Sequence, residues 1–246
     1  MALKRVFERR EMKYLLSMAD YLALRRLMGS HMQEDEYGRT AIMSLYFDTP
    51  DYQMIQSSMA GGDYKEKFRL RSYGTPGPEQ PIFLELKKKI ERVVYKRRIS
   101  VPYRTIHQVI SPGQIRVMDR PLTANEAQIQ REIQWVFDRY QLEPKVLVVY
   151  DRIALFKADD AEFRVTFDFD VRYRTDDMTM ADGSFGQPIT ADFDVIMEVK
   201  AMGAYPIWFS DIVNKLHLVR GRFSKYGYIY EHYISQGETN NVTEPV

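Results

Sequence analysis

KEKFRLRSYG, residues 65–74, is the stretch on which the fold turns. In an extended strand successive side chains point to opposite faces, so Lys67, Arg69 and Arg71 share one face while Phe68 and Leu70 share the other. Residues two apart on a strand stand roughly 7 Å from each other, and at an effective dielectric of about 20 each like-charge pair repels by about 2 kcal/mol. A face built from several such pairs needs either carboxylates among the cations or a polyanion to bind.

The pattern recurs in four further stretches. In FLELKKK, residues 83–89, Glu85, Lys87 and Lys89 oppose Leu84 and Leu86, and in VVYKRRI, residues 93–99, Lys96 and Arg98 fall together. In FRVTFDFDV, residues 163–171, Arg164, Thr166, Asp168 and Asp170 oppose Val165, Phe167, Phe169 and Val171. In DVIMEVK, residues 194–200, Asp194, Ile196, Glu198 and Lys200 oppose Val195, Met197 and Val199. An antiparallel sheet with one face in water also carries charges on that face. These faces differ from a solvated one in their density of Arg and Lys, against which Glu11, Glu85, Asp168 and Glu198 are too few. A barrel whose helices cover its apolar outside would turn the charged face into the bore. Such a bore suits polyphosphate, because Arg pairs phosphate oxygens bidentately and Lys adds a compact charge.

Composition narrows the classes. The 246 residues contain no cysteine, which excludes disulfides, thiolate metal sites and thiol nucleophiles and favours a reducing compartment; the cytoplasm is the expected location. No stretch approaches the run of about 18 apolar residues that a spanning helix needs, and the N-terminus lacks the apolar centre of a signal peptide. With 35 Lys and Arg against 34 Asp and Glu, bulk charge does not announce a nucleic-acid binder. Aromatic residues, the platforms on which single strands stack, are sparse on the charged faces. His31, His107, His217 and His232 lack the spacing of metal ligands.

Along the chain, residues 5–13 read as a strand and SMADYLALRRLMG, residues 17–29, as a helix stopped by Gly29. A strand, a turn at Thr49 and Pro50 and a short helix follow, then the three charged strands near 65–73, 82–90 and 93–101. The middle is helical, with Ile129, Ile133, Val136, Phe137 and Tyr140 on one stripe behind a Thr123 cap. Strands return in KVLVVYDRIALF, EFRVTFDFDVRYR and DFDVIMEVK, and Pro206 opens a last amphipathic helix. Trp135 and Trp208 fall in helical stripes as packing residues, and Tyr226, Tyr228, Tyr230 and Tyr233 pack a closing helix. The expectation is an α+β chain with a closed antiparallel eight-stranded β-barrel and helices at the connections and C-terminus. One domain spans residues 1–235, and residues 236–246 form a polar tail.

RREMKY, SLYFDTPDY, KFRLRSYG, FLELKKK, YKRRISV, VVYDRIA, FRVTFD, IMEVKAMGAYPIW and SKYGY occur in the order and character of the VTC domain, the polyphosphate polymerase domain of the triphosphate tunnel metalloenzymes. The resemblance spans about residues 5–233. It implies a basic tunnel that holds ATP and a growing phosphate chain with Mn²⁺ or Mg²⁺ on the phosphates. Carried onto this sequence, the lining is Lys13, Arg69, Arg71, Lys87, Lys96, Arg98, Arg152, Arg164, Lys200 and Lys225, joined by Lys67 from the alternation above. Glu198 matches the family's metal-binding glutamate, and Glu85 is a second candidate for holding metal or orienting a cation.

The hydrolytic and cyclase relatives carry an E-x-E-x-K strand near the N-terminus, where this chain has Arg9, Glu11 and Lys13. One carboxylate fewer and one cation more disfavours a second metal and a general base, and favours transfer to a phosphate chain over transfer to water. The expected activity is therefore ATP-dependent polyphosphate synthesis. A tripolyphosphatase or nucleoside triphosphatase in the same tunnel, or a non-catalytic polyphosphate-binding sensor, stands as the alternative. If the product is exported, a separate membrane protein is the implied partner.

Overall fold

The computed structural model describes residues 9–236 except 92, 112, 113, 118, 119 and 158, and gives no side-chain placement for Arg9, Ser111 and Ala161. Residues 5–8 of the expected first strand and residues 237–246 of the expected tail lie outside the described residues. In chain order the main elements are β1 (Arg9–Leu16), α1 (Met18–Met28), β2 (Thr40–Asp48), α2 (Gln53–Met59), β3 (Tyr64–Tyr73), β4 (Pro81–Ile90) and β5 (Val93–Pro102). Then come α3 (Ala124–Arg139), β6 (Glu143–Lys157), β7 (Asp160–Arg174), β8 (Val195–Met202), α4 (Ile207–Lys215) and α5 (Lys225–Ile229), which a π-helical turn, Tyr230–Ile234, continues.

The eight long strands pair in the order β1-β8-β7-β6-β2-β3-β4-β5, with the short strand Arg220–Gly221 beyond β1. This corrects the expected barrel: among the described residues no pairing joins β5 to the other end, so the sheet is not closed. Alternation along a strand fixes which face is buried and leaves open whether the sheet's two edges meet. The outer edge of β1 is occupied by its own short partner, which sets Lys13 opposite Gly221 and Tyr14 opposite Arg220.

By its contacts the chain forms two compact units: residues 1–40, 150–171 and 188–223, and residues 41–149, 172–187 and 224–246. In the first unit, Tyr14, Leu16, Phe163, Val165, Phe167, Val195, Met197 and Val199 alternate inward from β1, β7 and β8 against Leu24 and Met28 of α1 and Phe209 of α4. Helix α1 begins at a capping box in which Ser17 and Asp20 satisfy each other's backbone N–H. In the second unit every second residue of β3 from Glu66 to Ser72 is buried. The expected stripe of α3 packs on that face, with Phe68 and Phe137 edge to face at 5.2 Å. Each fully buried Phe or Leu contributes about 1.5–3 kcal/mol, which is what fixes the cations of β3 on the opposite face. A capping box of Thr123 and Glu126 starts α3.

Candidate functional site

In the second unit the register of β3, β4 and β5 sets three rows side by side. Lys67 lies opposite Lys87 and Lys87 opposite Lys96; Arg69 lies opposite Glu85 and Glu85 opposite Arg98; Arg71 lies opposite Phe83 and Phe83 opposite Ser100. Six cations thus surround the single carboxylate of Glu85. Arg69 donates from Nε to Glu85 Oε2 at 2.8 Å, Arg98 Nε stands 3.2 Å from Oε1, and Arg71 Nε stands 3.7 Å from Oε2. Burial pushes the Glu85 carboxyl up, but Arg71, Arg69 and Arg98 outweigh it and hold it below its ordinary value. The Arg98 guanidinium lies over Phe83, its Cζ 3.6 Å from the ring centroid, and donates to Tyr73 Oη at 3.0 Å. Lys67 Nζ donates to Ser224 Oγ at 3.2 Å, and Ser224 caps α5, so Lys225 stands in that helix's first turn.

From this face runs a polar chain that no sequence pattern disclosed. Arg69 Nη1 donates to Tyr46 Oη at 2.9 Å, and the Tyr46 ring stacks on Tyr226 at 4.7 Å. Burial raises the Tyr46 phenol, and Arg69, Arg71 and Lys67 more than reverse the effect, bringing it down to about 8. Tyr226 donates in turn to Asp48, whose buried carboxylate also accepts the backbone N–H groups of Thr49, Met54 and Ile55. Asp48 therefore anchors the start of α2 and ties it to α5.

In the first unit Glu198 of β8 sits between Lys13 of β1, directly opposite on one side, and Thr166 of β7 on the other. Lys13 Nζ stands 3.9 Å from Glu198 Oε2 and donates to the Phe223 carbonyl at 2.8 Å, while Lys200 closes on Oε1. Burial pushes Glu198 up; Lys200 and Lys13, helped by Arg152, bring it down to about 2. Arg152 is held bidentately by Asp168, Nε to Oδ1 at 2.6 Å and Nη2 to Oδ2 at 2.8 Å, with its guanidinium over the Tyr150 ring. Arg164 is exposed and lies opposite Lys200 in the β7–β8 register.

Among the described residues no group of three His, Asp or Glu side chains gathers to hold a metal by itself. Glu85, enclosed by three guanidiniums, does not fit a metal and is placed as their counter-ion. Glu198 fits one in a limited sense. Its neighbour Thr166 has a buried hydroxyl with no hydrogen-bond partner, and Mg²⁺-type ions are commonly held by one or two carboxylates with substrate phosphates completing the shell.

The expected site residues thus fall into two sets. Lys13, Arg152, Arg164, Glu198 and Lys200 belong to the first unit, and Lys67, Arg69, Arg71, Glu85, Lys87, Lys96, Arg98 and Lys225 to the second. The side chain of Arg9, expected beside Glu11 and Lys13, lies outside the described residues. The charged face of the second unit is more aromatic than expected, since Tyr46, Tyr73 and Phe83 stand on it beneath arginines. Trp135, expected in the core, is 46% exposed between Lys88 and Arg139.

No curated protein matches this sequence significantly. Two examples stand for the solved structures that share the fold. One is a Bacillus halodurans protein with a provisional adenylate cyclase assignment: 13% identity, 91% of this chain and 96% of that one covered, TM-score 0.54. The other is a Hippeastrum protein with a provisional adenylyl cyclase assignment and a dominant triphosphatase activity: 11% identity, 92% and 95% covered, TM-score 0.50. The family profile of the VTC domain matches residues 8–233, and with that span the chain belongs to the VTC domain family.

Proposed function

We propose that this chain is a metal-dependent polyphosphate polymerase that passes the γ-phosphoryl group of ATP to the terminal oxygen of phosphate or polyphosphate. The bond between the γ-phosphorus and the β–γ bridging oxygen breaks, a new phosphoanhydride forms on the acceptor, and ADP leaves with the bridging oxygen. Acceptor oxygens are already ionised, so positioning and charge neutralisation carry the step and no protein nucleophile is called for. The observation that supports this best is the row of Lys67, Lys87 and Lys96 beside Arg69, Arg71 and Arg98, with Glu85 alone among them.

In this scheme Arg69, Arg71 and Arg98 grip phosphate oxygens from a geometry already set by Glu85. Lys67, Lys87, Lys96 and Lys225 lower the repulsion along the chain. Lys13, Lys200 and Arg164 serve phosphate in the first unit, and Arg152, oriented by Asp168, contributes charge there. Glu198 and Thr166 would hold a divalent ion, Mn²⁺ or Mg²⁺, which supplies charge neutralisation on the phosphates.

The second reading is hydrolysis of triphosphate by the same residues, favoured by the likeness in fold to the Hippeastrum protein with triphosphatase activity. Incubation with ATP and Mn²⁺, with and without a short polyphosphate primer, separates the two by gel and ³¹P NMR. Long chains with matching ADP, lost in Glu198→Ala, are expected. Orthophosphate alone selects hydrolysis, and tight polyphosphate binding without ADP selects a sensor.

A further inference from the structure

The hairpin of β4 and β5 carries a second surface on the face opposite the lysine and arginine rows. Tyr64, Ile90 and Val93 lie side by side across β3, β4 and β5, and Lys88 pairs with Tyr95 in the next row. Helix α3 covers this face farther along, where Arg97 binds Glu132; toward the tip it reaches Trp135, over which Lys88 Nζ stands at 4.6 Å, and Arg139, which lies over Tyr64. The apolar residues of this face remain part-exposed: Tyr64, Ile90, Val93, Tyr95 and Trp135 are each 37–54% exposed. Val94, on the other face of the same tip, is exposed as well.

Charge surrounds this apolar tip. Apart from Lys87, Lys96 and Arg98 of the phosphate face, the sequence between residues 87 and 98 holds Lys88, Lys89, Arg92 and Arg97 against one acid, Glu91. Glu132 and Glu66 are already taken by Arg97 and Lys88. Arg139 lies over both Trp135 and Tyr64, and Arg131 joins Lys88, Gln128, Glu132 and Trp135 around an open depression of about 350 Å³.

We infer that the β4–β5 hairpin tip docks this protein on an anionic lipid surface, with Ile90, Val93, Val94 and Tyr95 entering the interface and the flanking lysines and arginines on the headgroups. Trp and Tyr beside Lys and Arg are the residues that settle at the boundary between headgroup and acyl chain, because each has an apolar body and a polar or charged end. Basic residues near such a surface each add about 1 kcal/mol of attraction to anionic lipid. A folded partner would cover one face of a hairpin. Apolar residues exposed on both faces of the same tip suit a fluid apolar medium that surrounds it.

The test is co-sedimentation of the full chain with phosphatidylcholine vesicles that contain or lack phosphatidylglycerol, at low and high salt, alongside Ile90→Asp/Val93→Asp. Expected are binding to the anionic vesicles, a blue shift of Trp135 emission in a Trp208→Phe background, and at least about tenfold weaker binding by the double variant. Tripolyphosphate affinity of that variant stays as in the parent. Absence of vesicle binding overturns the inference, as does binding that the double variant retains in full. A concentration-dependent dimer dissolved by the same substitutions also overturns it, by assigning the tip to a second copy of the chain.

Discussion

Tyr226 donates its phenolic hydrogen to the buried carboxylate of Asp48 at 2.9 Å, and through this bond the SKYGY segment is locked to the turn of SLYFDTPDY. Three backbone N–H groups share the same carboxylate, so Asp48→Ala strands four donors in a buried site. The expected loss is about 3–5 kcal/mol for Asp48→Ala, and about 2 kcal/mol for Tyr226→Phe, which leaves the backbone bonds intact. Urea unfolding reads both. Midpoints equal to that of the parent would show that the carboxylate anchors nothing.

Tyr46 links binding to pH. Arg69, Arg71 and Lys67 favour the phenolate and bring its pKa down to about 8, and under the proposed function a triphosphate competes for the same cations. Binding should therefore raise the Tyr46 pKa and take up a proton, so affinity falls as pH rises through 8, by at most about tenfold per pH unit. Tyr226, stacked on the Tyr46 ring, adds no competing cation. Calorimetric titration of tripolyphosphate on either side of this pH should show the decline, and Tyr46→Phe should abolish it. A decline of equal slope in that variant assigns the titration to another group.

Acid stability carries contributions of both signs. Glu198 falls to about 2 in the folded chain and Glu85 also lies below its ordinary value, so each adds stability above the unfolded carboxylate value that is lost as pH drops through the folded one. Burial raises Asp48, whose contribution is present at low pH and lost as pH rises through its folded value. Unfolding free energy should rise between about pH 2 and about pH 4.5, and Glu198→Gln should flatten that rise. An unchanged slope in the variant would place the acid sensitivity elsewhere.

The strands and their faces were legible because alternation is a local property: Phe68 and Leu70 go into a core wherever the strand lies, and that leaves Lys67, Arg69 and Arg71 on the other face. The α3 stripe and its Thr123 cap were legible for the same reason, since both are written within one helix. Closure of the sheet was not, because it depends on whether two edges far apart in sequence meet. The partner of Arg69 was equally hidden. Register sets Arg69 opposite Glu85 and Tyr46, and register is fixed by turns and packing rather than by either residue. Trp135 falls on the α3 stripe by spacing, yet the sheet beneath it ends in a lysine and a hairpin tip, so Lys88 and Arg139 flank the ring and it stays half exposed.

Glu85 offers the sharpest test of the basic face, because counter-ion and metal ligand predict opposite behaviour. Neutralising it in Glu85→Gln leaves Arg69, Arg71 and Arg98 without their shared anion in a half-buried site. That should cost about 3 kcal/mol of stability in the absence of ligand. A bound polyanion would then replace the missing charge, so tripolyphosphate should raise the melting temperature of Glu85→Gln by more than it raises that of the parent. The divalent-ion dependence of that rise should be the same in both proteins. Arg71→Ala serves as the control: it removes a cation from the same cluster, so its affinity for tripolyphosphate should drop and its ligand-induced rise should shrink. Loss of the divalent-ion dependence in Glu85→Gln would instead make this carboxylate a metal ligand that the guanidiniums release when substrate enters.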